Sequence, residues 1–393
     1  MDVADNYFSS KTIMRGDCLK LIRFLGSDLL QFKITKICFL ITLLVHVVMD
    51  LIQIYFLSSV HDNSSQIVLY TSVLLGNFYP MLAIALLLDD SKLAAHIKDD
   101  LDVWEIDSAG KKVERKIRQG VKYMTIYIVI TFLTTVCGTV LFAINLSHDL
   151  EWFFALRFFK DYFPGQYTIL TVLYKTTFIC IGYSMTVHAF QIIYYTQHLR
   201  YQIMLLNEHI LNISNCCPDV KEDELFYDKK YQTTIEDRLK FCIKRWNEYL
   251  LAYNDKVSAV KHQLIVFSLA GWLLGISFAI VMLSGKLTPD YYPRQAMAGL
   301  AAVLTFCGAI EAGQSTETQM EEMAFVVNEV KWYNFDKNNK KLYFILAMNI
   351  MTERKIQCSE NYSLNYNLGL AIVRGIYSIV TVFANMNSRS KLT

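Results

Sequence analysis

Apolar runs of roughly 20 residues, each long enough to cross a hydrocarbon layer of about 30 Å, recur along the whole chain and constrain its fold more than any other feature. The composition agrees. Of 393 residues 53% are hydrophobic and only 19% charged, with a mean hydropathy of +0.27, whereas an ordinary soluble domain carries about 25% charge. Seven spans follow: Ile34 to Leu57, Ile67 to Leu88, Tyr123 to Ile144, Tyr167 to Tyr195, Gln263 to Leu283, Gln295 to Gly313 and Tyr366 to Met386. In lipid each span must satisfy its own backbone hydrogen bonds, and runs this long and evenly apolar do so as helices, not barrel strands. The predicted fold class is an all-α membrane protein.

Orientation comes from lysine and arginine, which concentrate on the cytoplasmic side of a membrane. The segment before the first span and the second to third, fourth to fifth and sixth to seventh connections hold 29 of these residues. The intervening connections and the tail hold 6. The N-terminus is therefore expected in the cytoplasm and, after seven spans, the C-terminus outside. The first apolar run follows a segment holding Lys11, Arg15, Lys20, Arg23 and Lys33, too long and too charged for a secretory signal peptide. Asn63 and Asn145 stand in N-x-S sequons within the first and second expected outer loops, where a glycosylation acceptor would be used; Asn212 and Asn361 fall inside. The nine cysteines are odd in number, Cys216 and Cys217 are adjacent, and neither a disulfide framework nor a zinc site is suggested.

The expected organisation is a cytoplasmic segment, 1–33; six spans, 34–313, with long cytoplasmic connections at 89–122 and 196–262; cytoplasmic anchor helices, 314–365; and a last helix with a short outer tail, 366–393. From Arg238 to Lys261, Leu239, Cys242, Ile243, Trp246, Leu250 and Tyr253 recur at helical spacing between charged residues. Such a helix either lies on the membrane surface or packs into a cytoplasmic bundle. A second such face, Glu317 to Tyr333, favours the bundle. Apolarity stops between Thr352 and Ser363, which implies a short helix over Leu342 to Met351 before the final span.

Seven helices in this orientation are the reverse of a G-protein-coupled receptor, and that family's Asp-Arg-Tyr and Asn-Pro-x-x-Tyr motifs are missing. No hydrolase, zincin or P-loop motif occurs, so neither an enzyme nor a cofactor is implied. A net charge of +2 gives no reason to expect nucleic acid. A transporter should show internal repeats or paired broken helices; only Pro80, inside the second span, hints at a kink.

The C-terminal half resembles the insect odorant receptor family. Ser315 and Ala324 precede the pair Trp332 and Tyr333; Lys340 and Lys341 open a short helix; Tyr377 and Ser378 stand in the last span. Tyr162, Phe163 and Pro164 match the second outer loop. Gustatory receptors and the odorant co-receptor tend instead to carry Thr-Tyr and a later Gln in the last span, and the co-receptor's large insertion is missing here. The resemblance implies an odorant-binding tuning subunit of a tetrameric, non-selective cation channel, assembled with co-receptor subunits in the plasma membrane of a sensory dendrite. A gustatory-type channel is the first alternative; a transporter or membrane enzyme is the second.

Matching the last span to the family places Val382 at an apolar gate, physically sensible because apolar constrictions dewet, and Asn385 one turn further out at the pore mouth. Without the family match, Val382 is one more apolar contact. For a small volatile ligand, Thr135, Gly138 and Phe142 share one face of the third span, although glycine in a membrane helix more often marks close packing. Tyr70, Tyr174 and Phe178 add aromatic surface. His46 and Asp50, at i and i+4, are expected to form a local pair, a proton relay being the alternative. Lys175, His188 and Arg374 are expected to snorkel or pair with carboxylates, Arg374 alternatively lining an inner vestibule.

Overall fold

The computed structural model describes residues 17–59, 64–89, 104–146, 148–216, 224–283, 288–352, 357–359 and 362–390. Eight long helices account for most of them: α1 (Lys33–Ser59), α2 (Ser64–Asp89), α3 (Lys111–Ala143), α4 (Tyr167–Leu211), α5 (Lys229–Leu283), α6 (Tyr292–Asn328), α7 (Lys337–Met351) and α8 (Tyr366–Ser390). Five stretches, Lys33–Ser59, Tyr70–Leu88, Lys111–Ala143, Pro164–Leu211 and Pro289–Asn328, are long and apolar enough to cross a membrane. Gly271–Leu283 and Tyr366–Val382 are shorter apolar helices. Together they coincide with the seven predicted spans. One short antiparallel pair, Gln357–Ser359 with Tyr362–Ser363, departs from the all-helical expectation at the polar break before α8.

The expected cytoplasmic extensions are continuous with the spans. α4 has 45 residues and α5 has 55, at 1.5 Å rise far more than a bilayer requires. α4 is the central pillar and packs against α1, α2, α3, α5 and α6. Its run Thr186 to Leu199 is buried on every side, as expected of a helix surrounded by others. By contrast, only 22% of the α1 window is buried, which leaves an apolar face for lipid.

Beyond the spans, α5 follows the bundle alternative. Leu239, Cys242, Trp246 and Tyr253 are buried in the main core cluster, with Trp246 stacked on Tyr249 at 5.3 Å. Burial pushes the Cys242 thiol up to about 12, so it packs as a neutral side chain. Gln232 of α5 ties in α7: its amide donates to the Asn334 carbonyl (2.9 Å), and its oxygen accepts from the Asn339 amide (2.8 Å) and the Asp336 N–H (2.9 Å). Asp336 in turn caps α7 by accepting from the Asn339 N–H at 2.8 Å. The motif residues meet here: Trp332 stacks on Tyr343 with ring centroids 6.2 Å apart, and the Lys340 ammonium lies 6.0 Å from the Trp332 ring. Ser315 accepts from Gln197 of α4 at 3.2 Å.

The segment before α1 docks onto α4 through a short helix, a π-turn and a second short helix spanning Lys20 to Gln31. Gln191 and Tyr183 donate to the Gly26 and Leu25 carbonyls at 2.9 and 2.6 Å. Asp17 accepts from Tyr194 at 3.0 Å, pairs with Arg23 at 3.0 Å and lies 3.4 Å from His198. Apart from Asp17–Arg23, these contacts join residues more than 150 positions apart, so no local pattern foretold them.

Gly313 of α6 sits where the chain enters α8: a Cβ there would lie 2.1 Å from the Leu364 carbonyl oxygen. Gly313→Ala is expected to lower stability by about 1–3 kcal/mol, measured as the melting temperature of the purified protein in detergent. Gly165→Ala, which meets nothing within 4 Å, serves as the control; equal melting of the two variants refutes the assignment.

Candidate functional site

A cavity of about 610 Å³ opens among α2, α3, α4, α5, α6 and α8, roofed by the segment between α3 and α4. The size suits a small molecule, and the wall is predominantly apolar. α2 runs unbroken through Pro80, which lines the cavity.

Of the six predicted pocket residues, Thr135, Gly138, Phe142 and Phe178 line this cavity. The structure places Tyr70 and Tyr174 one layer behind. Tyr70 is buried edge-on against Phe56 and Phe154, at 6.4 and 5.8 Å. Tyr174 packs between His46 at 4.9 Å and Phe178 at 5.5 Å. They buttress the wall, and their size and aromaticity alone did not reveal which way they face. A Cβ on Gly138 would meet Met297 at an ordinary 3.7 Å, whereas one on Gly182 would run into Thr139 at 1.9 Å. Close approach of α3 to α4 therefore depends on Gly182.

Most lining residues that the sequence reading missed come from α2, α5 and α6, and the roof adds Trp152 and Phe153. The roof helix Phe154–Tyr162 buries Phe154, Ala155, Leu156 and Phe159 on one face, and its dense aromatic sequence was the available signal. Asn77 and Gln295 were also missed. Asn77 corrects a second expectation: His46 and Asp50 are bridged through it, not paired directly. Its amide nitrogen lies 3.0 and 2.9 Å from the two Asp50 carboxylate oxygens and 3.4 Å from His46 Nδ1; His46 Nε2 lies 2.8 Å from the Thr177 hydroxyl. Thr177 donates to the Tyr174 carbonyl at 2.5 Å.

The roof is anchored by Asp149, whose carboxylate binds Lys175 of α4, the Tyr291 hydroxyl and, at 2.7 Å, Arg294 of α6. Lys175 and Arg294 both also donate to the Ile144 carbonyl at the end of α3. All three charged side chains are 2–4% exposed. Burial pushes the Asp149 pKa up, but hydrogen bonds from the Leu146 N–H, Lys175, Tyr291 and Arg294 outweigh it and hold the carboxyl below its ordinary value. Lys175 thus pairs with a carboxylate as expected. His188 instead bonds the Ala83 carbonyl of α2 at 3.0 Å, and Arg374 is exposed on α8.

Val382 is 60% exposed and Asn385 is exposed too. Arg374, Ser378, Val382 and Asn385, spaced by three and four residues, form one exposed stripe of α8. Asn145 is exposed between α3 and the roof; Asn63 lies outside the described residues.

No protein-family model matches the chain, and no curated protein matches it. Solved structures do. The insect olfactory receptor OR5 from Machilis hrabei superposes with a TM-score of 0.59 at 10% identity, covering 93% of this chain and 87% of that one. The same receptor in complex with eugenol gives 0.52 at 9% identity, covering 93% and 88%. The chain has the insect olfactory receptor fold.

Removing one member of a buried ion cluster leaves the others uncompensated. Asp149→Ala is expected to cost about 3–5 kcal/mol, far more than breaking the exposed pair Lys240–Glu236, read as melting temperature in detergent. Because the folded pKa is depressed, the carboxylate's contribution is complete above the unfolded value near 3.8 and is lost as pH falls through the lower folded value. Wild-type and Asp149→Ala melting should converge only under that strong acid; a constant gap down to pH 2 contradicts the assignment.

Proposed function

We propose that this multi-pass membrane protein is an odorant-gated cation channel subunit, binding a small, largely apolar volatile in the cavity beneath the roof and working with co-receptor subunits as a heterotetramer. The observation that carries the reading is the cavity itself: about 610 Å³, lined by Phe142, Phe153 and Phe178 from three elements, within a fold whose solved representative has been captured with eugenol. The lysine and arginine bias supports a cytoplasmic N-terminus, an outer C-terminus and a cavity in the outer half of the membrane. The exposure of Asn145 suits an accessible glycan acceptor.

The cytoplasmic ends of α4, α5 and α6 with α7 form the anchor through which subunits associate, and the stripe Arg374, Ser378, Val382 and Asn385 faces the pore. Three of these four residues are polar, as suits a surface turned to water. Val382, the apolar member, supplies the ring that closes by dewetting. Ligand opens the pore to the extent that it binds the open arrangement more tightly than the closed one. α6 couples the two regions, because it lines the cavity through Gln295, packs on Gly369 of α8 through Ile310 and meets the chain entering α8 at Gly313.

Cells expressing the chain with an insect odorant co-receptor are expected to pass cation current when challenged with volatile alcohols, esters and aldehydes, and to stay silent without it. Current without the partner would point to a gustatory-type channel, and silence in both despite surface expression would overturn the reading. In the same recordings Val382→Ala is expected to raise the basal leak or alter conductance; currents identical to wild type would remove Val382 from the gate.

A further inference from the structure

The polarity of the cavity wall is lopsided. Each of the seven hydroxyls that the described residues place on it already spends its proton inside the protein. Thr135, Thr139, Thr186 and Thr305 donate to carbonyls of their own helices at 2.7 to 3.1 Å. Ser277 donates to the Ser72 carbonyl at 2.6 Å, Tyr79 to the Met185 carbonyl at 3.1 Å, and Tyr291 to Asp149. With their protons spent, these groups have only lone pairs left to offer. Among the described residues, the donors left on the wall are the Trp152 indole and the Gln295 carboxamide.

Asn77 extends the pattern, and its orientation is fixed by a one-way chain. Thr177 gives its proton to the Tyr174 carbonyl, so it must accept from His46 Nε2. His46 Nδ1 is then a bare acceptor, which takes one Asn77 amide proton. The other goes to the acceptor-only carboxylate of Asp50. With both amide protons consumed, Asn77 is left with only its carbonyl oxygen to offer, and it stands on the cavity wall.

We infer that the cavity selects ligands carrying a hydrogen-bond donor, an alcohol or phenol hydroxyl, over esters, ethers and aldehydes of the same skeleton, with the Asn77 carbonyl oxygen as the principal acceptor. This rests on the proposal that the cavity is the ligand site and narrows its ligand class. A donor-bearing ligand pairs with an oxygen that is otherwise unbonded. An acceptor-only ligand sets lone pair against lone pair at Asn77 and has only the Trp152 and Gln295 donors to turn to. One added hydrogen bond corresponds to roughly three- to tenfold in affinity.

The test compares n-octanol with its methyl ether as ligands of the purified chain in detergent, reading the concentration that gives half-maximal thermal stabilisation. The double variant Asp50→Leu with Asn77→Leu, which removes the Asn77 carbonyl together with its carboxylate partner and costs His46 only its 3.4 Å contact, supplies the reference for partitioning into micelles. The expected result is an alcohol-to-ether preference about three- to tenfold greater in the wild type than in the double variant, with ether affinity retained in both. Should the double variant fail to fold, the wild-type comparison decides alone, referred to the two compounds' measured partitioning into empty micelles. Equal or better binding of the ether overturns the donor selectivity and leaves the cavity as the ligand site. Binding of neither compound overturns both.

Discussion

A single buried carboxylate closes the roofed end of the cavity. Asp149 is bound by a lysine from α4 and by a tyrosine hydroxyl and an arginine at the start of α6, while the two cations share the last carbonyl of α3. A charge removed from water is costly unless its partners leave few of its lone pairs unmet. Here one anion faces two cations, and the excess positive charge is spread onto the Ile144 carbonyl and the rings of Phe142 and Tyr291, which lie 5.7 and 5.0 Å from the Arg294 guanidinium. The arrangement holds Trp152 and Phe153 over the space between the helices, so the roof of the cavity exists because this cluster is satisfied.

The same rule, that a polar group without water must find its partner inside the protein, organises the rest. Asn77 bridges His46 and Asp50 in the span region. Gln191 and Tyr183 of α4 bond the backbone of the N-terminal segment, whose π-turn exposes carbonyls that a regular helix would keep to itself. In the extensions, Gln232 gathers three backbone or side-chain partners and sets α7 against α5. α4 touches every one of these regions except the last, which explains why its run Thr186 to Leu199 is buried on all sides while α1 keeps an apolar face for lipid.

Two parts of α6 do different work. Near its start, Arg294 locks the roof and Gln295 lines the cavity; near its middle, Gly313 lets the chain entering α8 approach within van der Waals contact. A molecule in the cavity therefore presses on a helix that also packs on the proposed pore helix, with no hinge or unstructured link between.

The amino-acid sequence by itself determined the seven spans, because hydropathy over about 20 residues is a local quantity that lipid reads directly. It also determined that the spans run on as helices, since the spacing of Leu239, Cys242, Trp246 and Tyr253 needs no knowledge of what they pack against. Four of the six pocket residues lie on the cavity wall for the same reason: Thr135, Gly138 and Phe142 share a face by helix geometry alone. What only the tertiary structure decided is which way a face points and which distant groups meet. Tyr70 and Tyr174 look like pocket aromatics in sequence, but the rings of Phe56, Phe154 and His46 occupy their surroundings. His46 and Asp50 look like a pair, but Asn77, 27 positions beyond Asp50, intervenes. Asp149 looks like a loop carboxylate in water, and its partners lie 26 and 145 positions away. Periodicity encodes neighbours within one helix; the partner of a buried charge is chosen by the packing of several.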